Sequence, residues 1–316
     1  MITFGGLAAL SSAFCYALAS VFFRRLGKEV QPIGVTILKS VIACLFTGLA
    51  LVLIGDVDAF LGRVFELPLE AQAFQWNTLS QRDFWLLFAS GFLGITIGDT
   101  AYFHTLNALG TRKTLILDTL SPSVTVLFAG LILGESLILL QFFGIVLTII
   151  GVGVVMFARA STQKASTIDP PLNRTGLVWA AISVLSHAFA YITAKGALDA
   201  VPSMEASMLR QGTAMLTLVL FCVLQRKLKS MLLPAFRPHN IRMLLGASTC
   251  GSFFGIWLGL LGIKLAPVSI ASTLNTTSPL FILPINKIFE GQGVSLRAAI
   301  GAIIAVIGAA ILLVGP

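Results

Sequence analysis

The feature that most limits what this chain can become is a run of about 20 apolar, nearly uncharged residues, the length that crosses a bilayer as a helix, repeated ten times. The spans are expected near Ile2 to Phe23, Ile33 to Ile54, Phe84 to Leu109, Leu115 to Leu133, Leu137 to Phe157, Gly176 to Ile192, Ala206 to Leu224, Met243 to Leu265, Val268 to Ile288 and Val294 to Val314. Composition agrees. Charged residues are 11% of the 316, against about 25% in a soluble domain, and mean hydropathy is +0.95. A transmembrane barrel would alternate over segments of about 10 residues, whereas these runs are long and rich in Leu, Ile, Ala and Gly. The expected fold class is an all-α membrane protein, a multi-pass protein of the cell (plasma or inner) membrane with the lipid bilayer as its first partner.

The net charge of +8 is a topology signal before it is a nucleic-acid one, because basic residues flank apolar spans on the cytoplasmic side. Numbered alternately, the loops on one side carry fifteen Lys and Arg; those on the other carry Arg63, Arg82, Lys195 and Lys264, with Lys39 and Arg210 left inside spans. The first side is therefore expected to be cytoplasmic and both termini outside. The first span has no basic residue before it and Arg24-Arg25 just after it, which reads as a span rather than a cleaved signal. Cys15, Cys44, Cys222 and Cys250 all fall in spans without CxxC or metal-ligand spacing and read as buried reduced thiols.

Two constant offsets relate the halves. At 157 residues Gly94 pairs with Gly251, Gly98 with Gly255, Ser121-Pro122 with Ser278-Pro279, Gly134 with Gly291, Gly144 with Gly301 and Gly151 with Gly308. At 171 residues Ala17 pairs with Ala188, Ala19 with Ala190, Arg24 with Lys195, and Leu38-Lys39 with Leu209-Arg210. One indel between the second and third spans, where the first half has its long segment from Gly55 to Asp83, accounts for both registers. Five spans is an odd number, so the second repeat must enter the membrane from the opposite face. Inverted repeats of this kind are typical of secondary transporters with a substrate site between the halves.

The order of a third helix with Gly98-Asp99-Thr100-Ala101-Tyr102-Phe103, a fourth with Leu120-Ser121-Pro122, then Gly134-Glu135-Ser136-Leu137 before a Gly-rich fifth, resembles the EamA module of the drug/metabolite transporter superfamily, present twice. The second copy departs from it: Gln292 stands where the first has Glu135, with Glu290 two residues early. The resemblance implies repeats at 1–158 and 176–315 joined by a cytoplasmic linker at 159–175. It also implies a permease for small metabolites, gradient-driven or proton-coupled, commonly exporting amino acids or related compounds. The best-known members of that superfamily are drawn with both termini inside, opposite to the charge count.

Charged side chains in hydrocarbon cost about 2.5 to 3.5 kcal/mol each at mid-helix and mark substrate or ion routes. Lys39, Asp99 and Asp118 lie at depths of roughly 9, 15 and 5 to 9 Å from the cytoplasmic helix ends at 1.5 Å per residue. They are expected to cluster, with the lysine compensating one carboxylate and leaving the other free to exchange a proton. A static ion pair that only fixes packing is the alternative. At the matching positions of the second half stand Arg210, Ile256 and Asn275. Arg210 could grip a substrate carboxylate or phosphate or snorkel to the interface. His187 is a possible proton relay or a packed histidine, and Tyr16, Gln211 and Trp257 are pocket-lining or packing residues. Pro122 and Pro279 are expected mid-span, where each removes a backbone hydrogen bond and permits a kink. The glycines of the fifth and tenth spans should let those helices approach closely, and the segment from Gly55 to Asp83 should form an interfacial amphipathic piece without chemistry.

No HExxH, Walker GxxxxGK[ST], GxSxG or acidic metal cluster occurs, so no enzyme activity, cofactor or metal is expected. The expected function is secondary transport of a small molecule, with protons as possible partners. Lipid or sugar-phosphate translocation stays open if Lys39 and Arg210 are free cations, as does a non-transporting receptor or scaffold.

Overall fold

A computed structural model describes residues 2–26, 29–65, 76, 79–118, 120–162, 173–281, 284–285 and 296–314; among them are helices and turns and no strand. Helices follow from the sequence because an apolar run in lipid must bond every backbone N–H and C=O within itself. The first repeat comprises α1 (Ile2–Leu26), α2 (Pro32–Ile54), α3 (Val57–Phe65), α4 (Gln81–Gly91), α5 (Thr100–Asp118), α6 (Ser121–Phe128) and α7 (Leu139–Thr162). The second comprises α8 (Arg174–Leu198), α9 (Ser203–Leu224), α10 (Leu228–Leu232), α11 (Pro238–Ala247), α12 (Ile256–Leu265), α13 (Val268–Asn275) and α14 (Leu296–Val314). Caps mark several starts: Ser80 accepts the Asp83 N–H at α4 (3.1 Å), Asn173 accepts the Gly176 N–H at α8 (2.7 Å), and Pro32 and Pro238 open α2 and α11.

Among the described residues seven helices are long and apolar enough to cross a membrane, and two shorter apolar ones run Ser121–Leu133 and Leu139–Val155. The expected ten spans thus do not appear as ten uninterrupted helices. Residues of the fourth span divide between α5, which ends at Asp118, and α6, which begins at Ser121; the ninth ends its first piece at Asn275 and is helical again at 278–281. The rest of the ninth span, the Gly291, Gln292 and Glu290 positions, and linker residues 163–172 lie outside the described residues, as do 66–75 and 77–78 of the long segment. Within α5 the chain must reverse, since Tyr102 and Asp118 line one cavity whereas a straight helix would hold them roughly 24 Å apart.

These breaks correct the expectation for the prolines. Pro122 occupies the first turn of α6 and Pro279 the first turn of the helix at 278–281, where an N–H would have had no intrahelical partner. Neither removes an interior bond. One π-helical stretch follows α6 at Ala129–Leu133, and local loosening comes from two more, at Phe92–Asp99, between α4 and α5, and Ser248–Gly255, between α11 and α12. The latter two recur almost at the 157-residue offset.

The halves interlock. Helix α1 packs on the π-helical 248–255 and α12, α8 packs on the π-helical 92–99 and α5, and α2 pairs with α9. Ser12 on α1 donates to the Gly255 carbonyl (2.6 Å), while Ser183 on α8 donates to the Gly98 carbonyl (3.2 Å). Ser12 and Ser183 are 171 residues apart and Gly98 and Gly255 are 157 apart, so these two bonds are copies of each other. Each reaches a carbonyl in a π stretch, where the regular ladder is interrupted. Helices α7 and α14 pack backbone to backbone: a Cβ on Gly151 would strike Ala305, and one on Gly308 would lie 2.5 Å from the Thr148 nitrogen.

Loops that alternate counting places on one side do meet. At one end Asp58 of α3 reaches Ser203 and Lys264, and Glu135 reaches Val268 and Ser269. At the other Asn240 donates to Glu29 (3.0 Å), and Asn173 donates to the Ala108 carbonyl (2.9 Å).

Candidate functional site

Between the π stretches at 92–99 and 248–255 the spans bring together charged groups from both repeats. Lys39, the eighth residue of α2, places Nζ 2.6 Å from Asp99 Oδ2, and the ammonium also sits 6.0 Å from the Phe23 ring centroid. The other carboxylate oxygen, Asp99 Oδ1, lies 3.3 Å from His187 Nε2 on α8. The side chains of Lys39, Asp99 and His187 are 13%, 24% and 25% exposed, so water is scarce and the ion pair is little screened. A Cβ on Gly98 would lie 2.8 Å from the His187 ring. Glycine there is what lets the imidazole reach the aspartate.

Asp118 lies apart from this triad. It makes no hydrogen bond or ion pair with a described residue, yet His187 and Asp99 are the charges it faces. With Tyr102, Thr105, Thr114 and Ser183 it lines a small cavity. The expected meeting of Lys39 with both aspartates therefore takes a different form. The lysine binds Asp99 alone, histidine is the third member, and the second carboxylate stays beside them at the end of a broken helix.

The matching positions of the second repeat are differently engaged. Asn275, also at a helix end, donates from Nδ2 to the Tyr191 hydroxyl (3.0 Å), and its Oδ1 lies 2.9 Å from the Ser12 hydroxyl. Gln211 accepts from Ser40 (2.9 Å) and donates to the Ser252 carbonyl (3.0 Å), tying α2 to α9 where the halves meet. Arg210 is 5% exposed, which removes snorkelling. Its Nε is buried without a partner. Tyr16 faces Arg210, Asp99 and Tyr191, and its ring would lie 3.4 Å from a Cβ on Gly255. Trp257 stands outside this group: its indole N–H donates to the Ser203 hydroxyl (3.0 Å). Lys39 is engaged by Asp99, so of the two cations at these matched positions Arg210 is the one without a carboxylate partner among the described residues.

Sequence reasoning missed a second polar cluster at the α3 end. Asp58 is 2% exposed; it accepts from the Ser203 backbone N–H (2.9 Å) and hydroxyl (2.6 Å) and pairs with Lys264 (3.0 Å). A carboxylate at the start of α9 satisfies orphan N–H groups and the helix dipole. Glu205, two residues along, is buried with Oε2 unpartnered. The segment around α3 thus carries a buried ion pair that anchors it to α9 and α12, a structural role the sequence did not signal. Glu135 does the same for α13, accepting the Val268 N–H (2.6 Å) and the Ser269 N–H (3.0 Å) and hydroxyl (2.6 Å). Pro202 and Pro267, just ahead of α9 and α13, were the available signal for exposed helix starts; the distant acceptors left none. The four cysteines are free thiols, but only Cys222 is fully buried.

Comparison with known proteins places this geometry. The profile of the family described as the EamA-like transporter family matches residues 3–157 and again 174–314. A protein of Archaeoglobus fulgidus, named as an uncharacterized transporter, is 23% identical over 311 residues, covering 98% of each chain. A crystal structure of a protein 16% identical superposes with a TM-score of 0.72 over 97% of this chain and 95% of that one, a likeness of fold.

Proposed function

Because this chain belongs to the EamA-like transporter family and is a multi-pass integral membrane transporter, we propose that it is a proton-coupled exporter of a small metabolite, of the amino-acid class that its family resemblance implies. Its repeats, 1–158 and 176–315 about a linker at 159–175, are inverted, with the site between them. The contacts between loops of the same side at each end support that inversion, as do the paired π stretches and the paired Ser12 and Ser183 bonds. Helices broken at Asp118 and Asn275 are the kind of element that binds substrate and coupling ion near the midplane of inverted-repeat carriers.

The observation that carries the coupling is the inequality of the two carboxylates. Asp99 has a cation on one oxygen and an imidazole on the other. Asp118, at a small cavity lined by four hydroxyl side chains together with Leu117, Ala180 and Val184, has no ion-pair partner of its own among the described residues. A proton on Asp118 removes its repulsion from Asp99 and stabilises the loaded state; its loss alters the field on His187 and frees the triad to rearrange. His187 is placed to pass that proton because it faces both aspartates.

The test is metabolite profiling of cells overexpressing the protein against cells expressing Asp99→Asn at equal level. A compound accumulating outside only with the unaltered chain is expected, and it names substrate and direction. Profiles that do not differ would contradict the reading.

A further inference from the structure

We propose that Arg210 binds the carboxylate of the transported compound, which makes the substrate a small carboxylate anion or zwitterion; this deepens the carrier reading and rests on it. Internal symmetry supplies the first observation. The 171-residue offset matches Lys39 with Arg210 and His187 with Tyr16, and the 157-residue offset matches Asp99 with Ile256. In one arm the cation, aspartate and ring are in contact. The other arm keeps a cation and a ring and has lost the carboxylate.

The second observation is the state of Arg210. It is 5% exposed, its Nε is buried without a partner, and its guanidinium donates no hydrogen bond to a described residue. Two glycines make room for the residue: a Cβ on Gly91 would lie 2.6 Å from the Arg210 carbonyl oxygen, against its backbone, and one on Gly94 would lie 3.1 Å from Nη2, against its guanidinium. The ionisable groups facing it are Tyr191, Tyr16 and Asp99, and both oxygens of Asp99 are already engaged. A buried cation with unmet donors is costly. The geometry points to an acceptor that arrives with the substrate and takes the role Asp99 plays for Lys39.

Charge decides the kind of acceptor. A guanidinium presents a planar fork that matches carboxylate and phosphate alike. A phosphate group brings about −1.5 to −2 charges, and Lys39, the other cation of the site, is neutralised by Asp99. One free positive charge fits one carboxylate.

Purified protein is titrated with a panel of L-amino acids, acetate, succinate and inorganic phosphate while its melting temperature is followed. Counterflow of the same compounds is measured in proteoliposomes made from the same preparation. The expected result is saturable stabilisation by at least one carboxylate and none by phosphate, with apparent affinity falling about 10- to 100-fold in Arg210→Gln, as for a lost charged hydrogen bond. Arg210→Lys keeps the charge without the fork and falls between the two. Ile256→Asp builds the counter-ion into the matched position and should abolish carboxylate binding without lowering the melting temperature. Undiminished carboxylate affinity in both Arg210→Gln and Ile256→Asp, stabilisation by phosphate alone, or no stabilisation of the unaltered protein by any carboxylate overturns the proposal. Binding without counterflow would instead overturn the carrier reading and leave the carboxylate site standing.

Discussion

Asp99 uses each of its oxygens on a different element, Lys39 of α2 at 2.6 Å and His187 of α8 at 3.3 Å, and so ties the first repeat to the second through one side chain. Lys39→Met should leave a partly buried carboxylate with the imidazole as its one remaining partner. The expected cost is about 2 kcal/mol, below the roughly 3 to 5 of a fully buried broken pair, because Asp99 keeps His187 and is 24% exposed. Adding Asp99→Asn to Lys39→Met should restore most of the loss, since no charge is then left alone. Melting temperatures of the two single variants and the double variant check this. Additive losses would show that the pair contributes nothing as a pair. The residue types of the site were legible in the sequence as charges inside apolar runs, and so was the Lys39–Asp99 contact from helix depths. His187 as the third member was not, because its partner comes from the other repeat and depends on Gly98 leaving room for the ring.

At the scale of elements, α7 and α14 meet along glycines that permit backbone contact, where close packing replaces the hydrophobic effect as the source of helix association in lipid. Gly151→Ala puts a methyl into Ala305 and should destabilise by about 1 to 3 kcal/mol, the range for overpacking. Gly153, on the same helix with nothing within 4 Å of an added Cβ, is the control: Gly153→Ala should be neutral or stabilising by up to about 1 kcal/mol through helix propensity. Thermal unfolding of both variants in detergent tests the contrast. This contact was readable from the repeated glycine spacing. The helix breaks were misread, because a proline inside an apolar run looks the same whether it kinks a continuous helix or opens a new one. The acceptor for α9 was hidden for another reason: Asp58 lies 145 positions from Ser203, and sequence distance carries no trace of that bond.

For the whole molecule, the two offsets, the π stretches that recur near the 157-residue offset and the cross-repeat serine bonds describe one helical unit used twice, with buried or half-buried charges in both copies. Orientation belongs to this scale. From fifteen basic residues on one face against four on the other we propose that both termini lie outside, and a reporter active only in the cytoplasm, fused to either end, should stay silent. Activity of that fusion would reverse the direction assigned to every charged group without altering the contacts among them. Either way the account turns on Asp118 as the group that exchanges the proton. Proteoliposomes loaded with a pH-sensitive dye and given a mixture of L-amino acids across an imposed pH gradient measure this directly. The unaltered protein should move protons when the mixture is added, and Asp118→Asn should lose that proton movement while still exchanging labelled amino acids at equal pH. Substrate-triggered proton movement of full size in Asp118→Asn would contradict the account.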